Sequence, residues 1–140
     1  MKSLIAAAAL LLCAAAPAFA DPVPPPTPDD VAVHIGADKN GLSVSASAGD
    51  RVAIELTGSP STGASWIVTA RPDFIDAPQF ITGPTTDAQQ RSGFVGGDRW
   101  QVYVFEVTGS GSGTITLEKR SPATRSGPPL DTFSVKIEAP

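Results

Sequence analysis

Cysteine and histidine are almost missing from this sequence, which has one of each, Cys13 and His34, in 140 residues. Cys13 sits in an apolar leader, and the three leucines before it do not supply the small residue that a lipid-attachment signal needs. Past that leader no thiol remains. Disulfides, cysteine nucleophiles and thiolate metal sites are therefore excluded, and the fold must rest on its apolar core alone. A lone histidine cannot supply the nitrogen ligands of a zinc site. His34 falls on the outward phase of an alternating segment, where a solvated side chain is expected rather than a general base. Clustered basic charge is also lacking. The chain carries 10 basic and 14 acidic residues, and the basic ones are scattered apart from Lys119-Arg120. Such a balance does not suit a nucleic-acid surface. No segment keeps apolar residues at helical spacing for three turns, so neither an amphipathic membrane helix nor a phosphate loop leading into a helix is expected. Carboxylates occur mostly singly, and Asp29-Asp30 lies in a proline-rich stretch. No paired acid–base geometry is predicted, and neither an enzyme nor a bound cofactor is expected.

The N-terminal segment reads as a signal for export. Lys2 gives a positive start, Leu4 to Ala16 form an apolar run too short to span a bilayer, and Ala18-Phe19-Ala20 is an A-x-A cleavage pattern. Residues 1–20 are thus expected to be removed, leaving an exported protein, periplasmic or secreted, with no membrane insertion. Residues 21–30, DPVPPPTPDD, predict an extended, polyproline-like tether. The folded domain is expected over 31–140, as a monomer.

Within that domain the hydrophobic pattern has period two. Val31, Val33 and Ile35 alternate with Ala32 and His34; Leu42, Val44 and Ala46 follow a hairpin-type Asn40-Gly41 signal; Val52, Ile54 and Leu56 come next. Trp66-Ile67-Val68 and a short edge strand at Phe80-Ile81 precede Trp100 to Val107, which is apolar on both faces as a central strand is. Ile115 with Leu117, then Phe133, Val135 and Ile137, complete the series. Short strands separated by turn residues predict an all-β, immunoglobulin-like antiparallel sandwich of seven to eight strands, with Trp66 and Trp100 in its core.

Three connections hold more than a plain sandwich requires. Ser59-Pro60-Ser61-Thr62-Gly63 is a stiff tip rich in hydroxyls, with Pro60 fixing φ and Gly63 allowing a positive one. Phe94-Val95-Gly96-Gly97 exposes backbone donors and acceptors to an extended partner. Ser121-Pro122-Ala123, flanked by Arg120 and Arg125, joins the last two strands. Alternate connections of such a sandwich cluster at one end, which predicts a single tripartite edge.

These residues resemble a known family. Ser59-Pro60-Ser61-Thr62-Gly63 followed by Trp66 is similar to the Asn-Pro-Thr-Thr-Gly-x-x-Trp loop of chagasin-type inhibitors. Phe94-Val95-Gly96-Gly97 is similar to their Gly-x-Gly-Gly loop, and Ser121-Pro122-Ala123 stands where they carry Arg-Pro and an aromatic residue. The resemblance runs from about Val31 to Glu138. It implies a reversible protein inhibitor whose partner is a papain-like cysteine peptidase. Ser61 and Thr62 would enter the cleft beside the catalytic cysteine, the glycine loop would pair on one side, and the third loop would pack on the other. Ala123 lacks the aromatic anchor of the family. The alternative is therefore a non-catalytic binding module of the cell envelope, on the same sandwich but with another partner.

Overall fold

The computed structural model describes residues 21–140; the expected export signal lies outside the described residues. Eight strands form two four-stranded sheets. β1 (Val33–Gly36), β3 (Arg51–Gly58), β5 (Gln79–Pro84) and β6 (Arg99–Glu106) make one sheet in the order β1-β3-β6-β5. β2 (Ser43–Ser45), β4 (Ser65–Ala70), β7 (Gly111–Arg120) and β8 (Asp131–Ala139) make the other in the order β2-β8-β7-β4. The expected β-sandwich is present, and Phe80-Ile81 does lie in an edge strand, β5. The sheets are mixed rather than wholly antiparallel, because β1 pairs β3 in parallel and β2 pairs β8 in parallel. The cause is the path of the chain near Asn40-Gly41. That turn does not close a hairpin but carries the chain from the first sheet to the second, and Gly49 carries it back. β1 and β3 thus run the same way, with β2 returning across the core between them.

The inward phase of each strand matches the alternation in the sequence. Ile35, Val52, Ile54, Leu56, Trp66, Phe105, Ile115, Leu117, Phe133, Val135 and Ile137 fill the space between the sheets. Trp66 is a core residue as expected, whereas Trp100 is half-buried on the outside of the first sheet. Two polar side chains on the inward phase of β6 reach across to the edge strand β4. Buried Gln101 accepts the Trp66 N–H through Oε1 at 2.8 Å, and Tyr103 donates its hydroxyl to the Trp66 carbonyl at 2.6 Å. Both backbone groups of Trp66 that face the core are therefore satisfied from the opposite sheet.

Burial pushes the Tyr103 phenol above its ordinary value of 10.0. The folded chain holds this proton more tightly than the unfolded chain. The stabilisation is thus fully present below pH 10 and is lost as pH rises through the folded-state value. Thermal melts from neutral to alkaline pH should show this loss, and Tyr103→Phe should flatten the tyrosine-dependent part of the slope. Tyr103 is the one tyrosine of the chain, so its phenolate absorbance reports the titration directly.

The outer face of the first sheet is apolar too. Ala53, Val102 and Val104 are buried there with Val31, and Ile81 and Trp100 pack beside them. The proline-rich segment covers this face, which corrects the expectation of an unpacked tether. Its prolines keep it extended, but it lies across the sheet. Val23 N–H donates to the Thr85 carbonyl at 2.9 Å, Pro26 sits over Gly83, Thr27 bonds Glu55, and Asp30 pairs with Arg51. Burial of Val102 and Val104 offsets the cost of ordering a segment that the prolines have already restricted.

Candidate functional site: three loops at one end of the sandwich

Strand register alone brings the three candidate loops together. Gly58 at the end of β3 and Pro84 at the end of β5 both pair with Arg99 at the start of β6. In the other sheet Ser65 at the start of β4 pairs with Arg120 at the end of β7, and Lys119 pairs with Asp131 at the start of β8. The 59–64 loop passes from one sheet to the other. The 85–98 loop joins two strands of the first sheet, and the 121–130 loop joins two strands of the second. The crossing loop therefore stands between the other two.

The central loop is a closed 3₁₀ turn. Ser59 and Ala64 exchange backbone hydrogen bonds of 3.0 and 3.1 Å, and Pro60–Thr62 form the turn above them. Thr62 donates its hydroxyl to the Ser59 carbonyl at 2.8 Å, and Gly63 N–H donates to the Pro60 carbonyl at 3.0 Å. Gly63 has φ 79°, in the left-handed region where a β-carbon is disfavoured. Pro60, Ser61 and Thr62 are exposed. The Thr62 hydroxyl thus stiffens the tip, while the Ser61 hydroxyl makes no intramolecular hydrogen bond among the described residues. Trp66 anchors the base by donating Nε1–H to the Thr57 carbonyl at 2.9 Å.

The glycine-bearing loop is tied at its neck and open at its tip. Gln89 accepts the Thr85 N–H at 2.7 Å and donates to the Asp98 carbonyl at 2.7 Å, so one side chain closes the neck. Beyond it Phe94, Val95, Gly96 and Gly97 are exposed, Val95 at 93%. Gly93, Gly96 and Gly97 all have positive φ, and a β-carbon at Gly97 would lie 2.6 Å from the Gln89 amide nitrogen. The Ser59 hydroxyl donates to Asp98, joining this loop to the central one. Between the two lies a shallow groove lined by Pro60, Ser61, Phe94, Val95, Gly96 and Arg99.

The third loop begins with a short turn, Pro122–Thr124, closed reciprocally by Ser121 and Thr124. Arg120 donates from Nη1 to the carbonyls of Thr124 at 2.6 Å and Gly127 at 2.9 Å, while its Nε meets Glu118 at 2.8 Å. That arginine is consumed in holding the loop. Pro122 and Ala123 are exposed, and Pro122 packs against the central loop: a β-carbon on Gly63 would lie 2.7 Å from its Cδ. All twelve candidate residues, Ser59 to Gly63, Phe94 to Gly97 and Ser121 to Ala123, thus lie along one edge.

Sequence reasoning missed the residues beneath that edge. Gln101 is the clearest. It is 3% exposed, it bonds Trp66 and Ser65, and a β-carbon at Gly58 would lie 2.6 Å from its Oε1. Its signal was a single amide on the inward phase of β6. Gln101→Leu should leave the Trp66 N–H buried and unpaired, lowering stability by about 1–3 kcal/mol. Urea unfolding checks this through a lower midpoint at unchanged slope.

Nothing in this edge performs covalent chemistry. Among the described residues no three metal-ligating side chains converge, and the one histidine bonds Glu55 on the outer face of the first sheet. The arrangement is a rigid, three-part projection suited to filling a groove.

Comparison with known proteins bears on the fold and the family. No curated protein matches the sequence. The crystal structure of the cysteine protease inhibitor EhICP2 from Entamoeba histolytica shares 20% identity and a TM-score of 0.65, covering 77% of this chain and 96% of the other. The solution structure of amebosin shares 24% identity and a TM-score of 0.57, covering 77% and 97%. Both show that the fold is shared. The family model described as Chagasin family peptidase inhibitor I42 matches residues 45–137, a span that holds all three loops and seven of the eight strands in whole or in part. On that match, this chain belongs to the chagasin family of peptidase inhibitors.

Proposed function

We propose that the three-loop edge inhibits papain-like cysteine peptidases by occupying the active-site cleft, with Ser61 and Thr62 beside the catalytic cysteine. One observation carries this reading: the central tip is closed before any partner arrives. Its Ser59 and Pro60 carbonyls already accept hydrogen bonds from within the turn. A tip ordered in advance loses little conformational entropy on entry. It also stays intact, because a closed turn does not offer an extended peptide whose carbonyl is aligned for attack. Phe94 to Gly97 would lie along one wall of the cleft, with the backbone of Gly96 and Gly97 available to an extended partner segment. Pro122 and Ala123 would contact the other wall. The protein would meet its target outside the cytoplasm, after export.

Active-site titration of papain with residues 21–140 tests the proposal. The expected result is reversible, competitive inhibition, with the inhibitor recovered at unchanged mass. Full peptidase activity at large molar excess, against papain and a cathepsin-like peptidase alike, would contradict it. The exposed Ala123 favours a second reading, in which the same edge serves a non-peptidase partner of the cell envelope. Pull-down of such a partner by a Thr62→Ala, Gly97→Ala double variant as well as by the parent would support that reading instead.

A further inference from the structure

The proline-rich segment does more than cover an apolar face, for its first residues grip the neck of the glycine-bearing loop. Asp87 N–H donates to the Asp21 carbonyl at 3.0 Å, Val23 N–H donates to the Thr85 carbonyl at 2.9 Å, and Pro22 bridges Thr86. The indole N–H of Trp100, at the start of β6 where the same loop ends, donates to the Val23 carbonyl at 2.9 Å. Both stems of the loop are thus bonded to one short stretch, Asp21 to Val23. Farther along, Pro26 sits over Gly83, which has no β-carbon to obstruct it. Asp30 pairs with Arg51, and Val31 is buried, at the far end of β3. The segment lies wholly outside the span of the family match, 45–137. It nonetheless reaches one of the three loops.

We propose that residues 21–31 are a strap that positions the 85–98 loop for its target, with Val23 and Trp100 as the positioning residues. Four of the five prolines, Pro22, Pro24, Pro25 and Pro26, fall where the strap leaves the loop. Restricted φ keeps that stretch extended in advance, so Asp21 to Val23 meet the loop neck with little entropy left to lose, and the grip depends on these local bonds rather than on the far anchor. The part of this inference that concerns affinity rests on the peptidase reading above; the part that concerns loop order does not.

Two full-chain variants separate the strap from general stability. Val23→Pro removes the one N–H that meets Thr85, and Trp100→Phe removes the indole donor while keeping an aromatic ring on the sheet. Asp30→Asn loosens the far anchor as a control. Hydrogen exchange at the amides of Thr85, Asp87 and Arg91, measured without peptidase, should quicken about tenfold or more in the first two variants. Exchange at Gly63, Ala64 and Thr124 should stay at the parent rate. Dissociation from papain should quicken about fivefold or more in the same two variants, and Asp30→Asn should change neither quantity. Parent-like exchange at the loop neck in both Val23→Pro and Trp100→Phe would overturn the proposal. So would an equal effect from Asp30→Asn, or faster exchange with unchanged dissociation. If the parent itself does not inhibit papain, the peptidase reading fails, and the exchange result alone decides whether the strap orders the loop.

Discussion

Replacing Gly63 by valine should weaken inhibition more than any other single change at the loop edge. Gly63 has φ 79°, a backbone region that β-branched residues almost never occupy, and strain of this kind costs about 1–3 kcal/mol. Space is denied as well as backbone freedom. The new β-carbon would lie 2.7 Å from Cδ of Pro122, a ring atom that cannot rotate away. Either the tip opens or the third loop moves off it, and both outcomes separate two parts of the proposed binding edge. Displacing a central contact typically costs about 2–4 kcal/mol, or roughly 30- to 1000-fold in the inhibition constant. Gly49→Val is the matched control. Gly49 has φ 93° with no atom near its missing β-carbon, and it lies where β3 begins, at the opposite end of the sandwich. Both variants should lose stability, but Gly63→Val alone should lose inhibition. Inhibition within threefold of the parent would show that the packing of Pro122 on the tip is irrelevant to binding.

The second large effect runs in the other direction. Ala123 is exposed beside Pro122, on a loop that Arg120 already holds through the carbonyls of Thr124 and Gly127. The loop is held in place, and the position beside Pro122 is open to an aromatic side chain. Aromatic side chains at the centre of an interface contribute about 2 kcal/mol or more. Ala123→Trp should therefore tighten inhibition of papain by about tenfold or more, chiefly through slower dissociation. The fold should be indifferent, since Ala123 is exposed. An unchanged inhibition constant would show that the third loop does not reach the peptidase surface, which would favour the envelope-binding reading.

The contrast between these loops and their supports explains what the sequence made legible. Period-two alternation identified the strands and their buried faces, because burial is a property of each strand by itself. It did not identify strand partners. Val33 and Val52 read as members of successive hairpins, yet they are paired in parallel, since β2 lies in the other sheet. The proline-rich stretch was legible as extended but not as packed. Its composition fixes φ and says nothing of what lies beneath, although Val102 and Val104 on the second face of β6 already required a cover. At the site, glycine and proline marked the tips of all three loops, because special backbone conformations need special residues. Gln89, Gln101 and Arg120 act at a distance from their own positions, through long side chains that meet distant backbone groups. Spacing along the chain does not encode such contacts, so the part each of these residues plays emerged only with the structure.

A hydrogen-exchange footprint of the complex with papain would put the whole account to its most direct trial. Residues 59–63, 94–97 and 121–125 should gain protection together, in a single binding event. The opposite end of the sandwich, at Ser45, Gly111 and Ser112, should exchange as in the free protein. Protection confined to the far end, or to only one of the three loops, would mean that the peptidase is not held by a three-part edge.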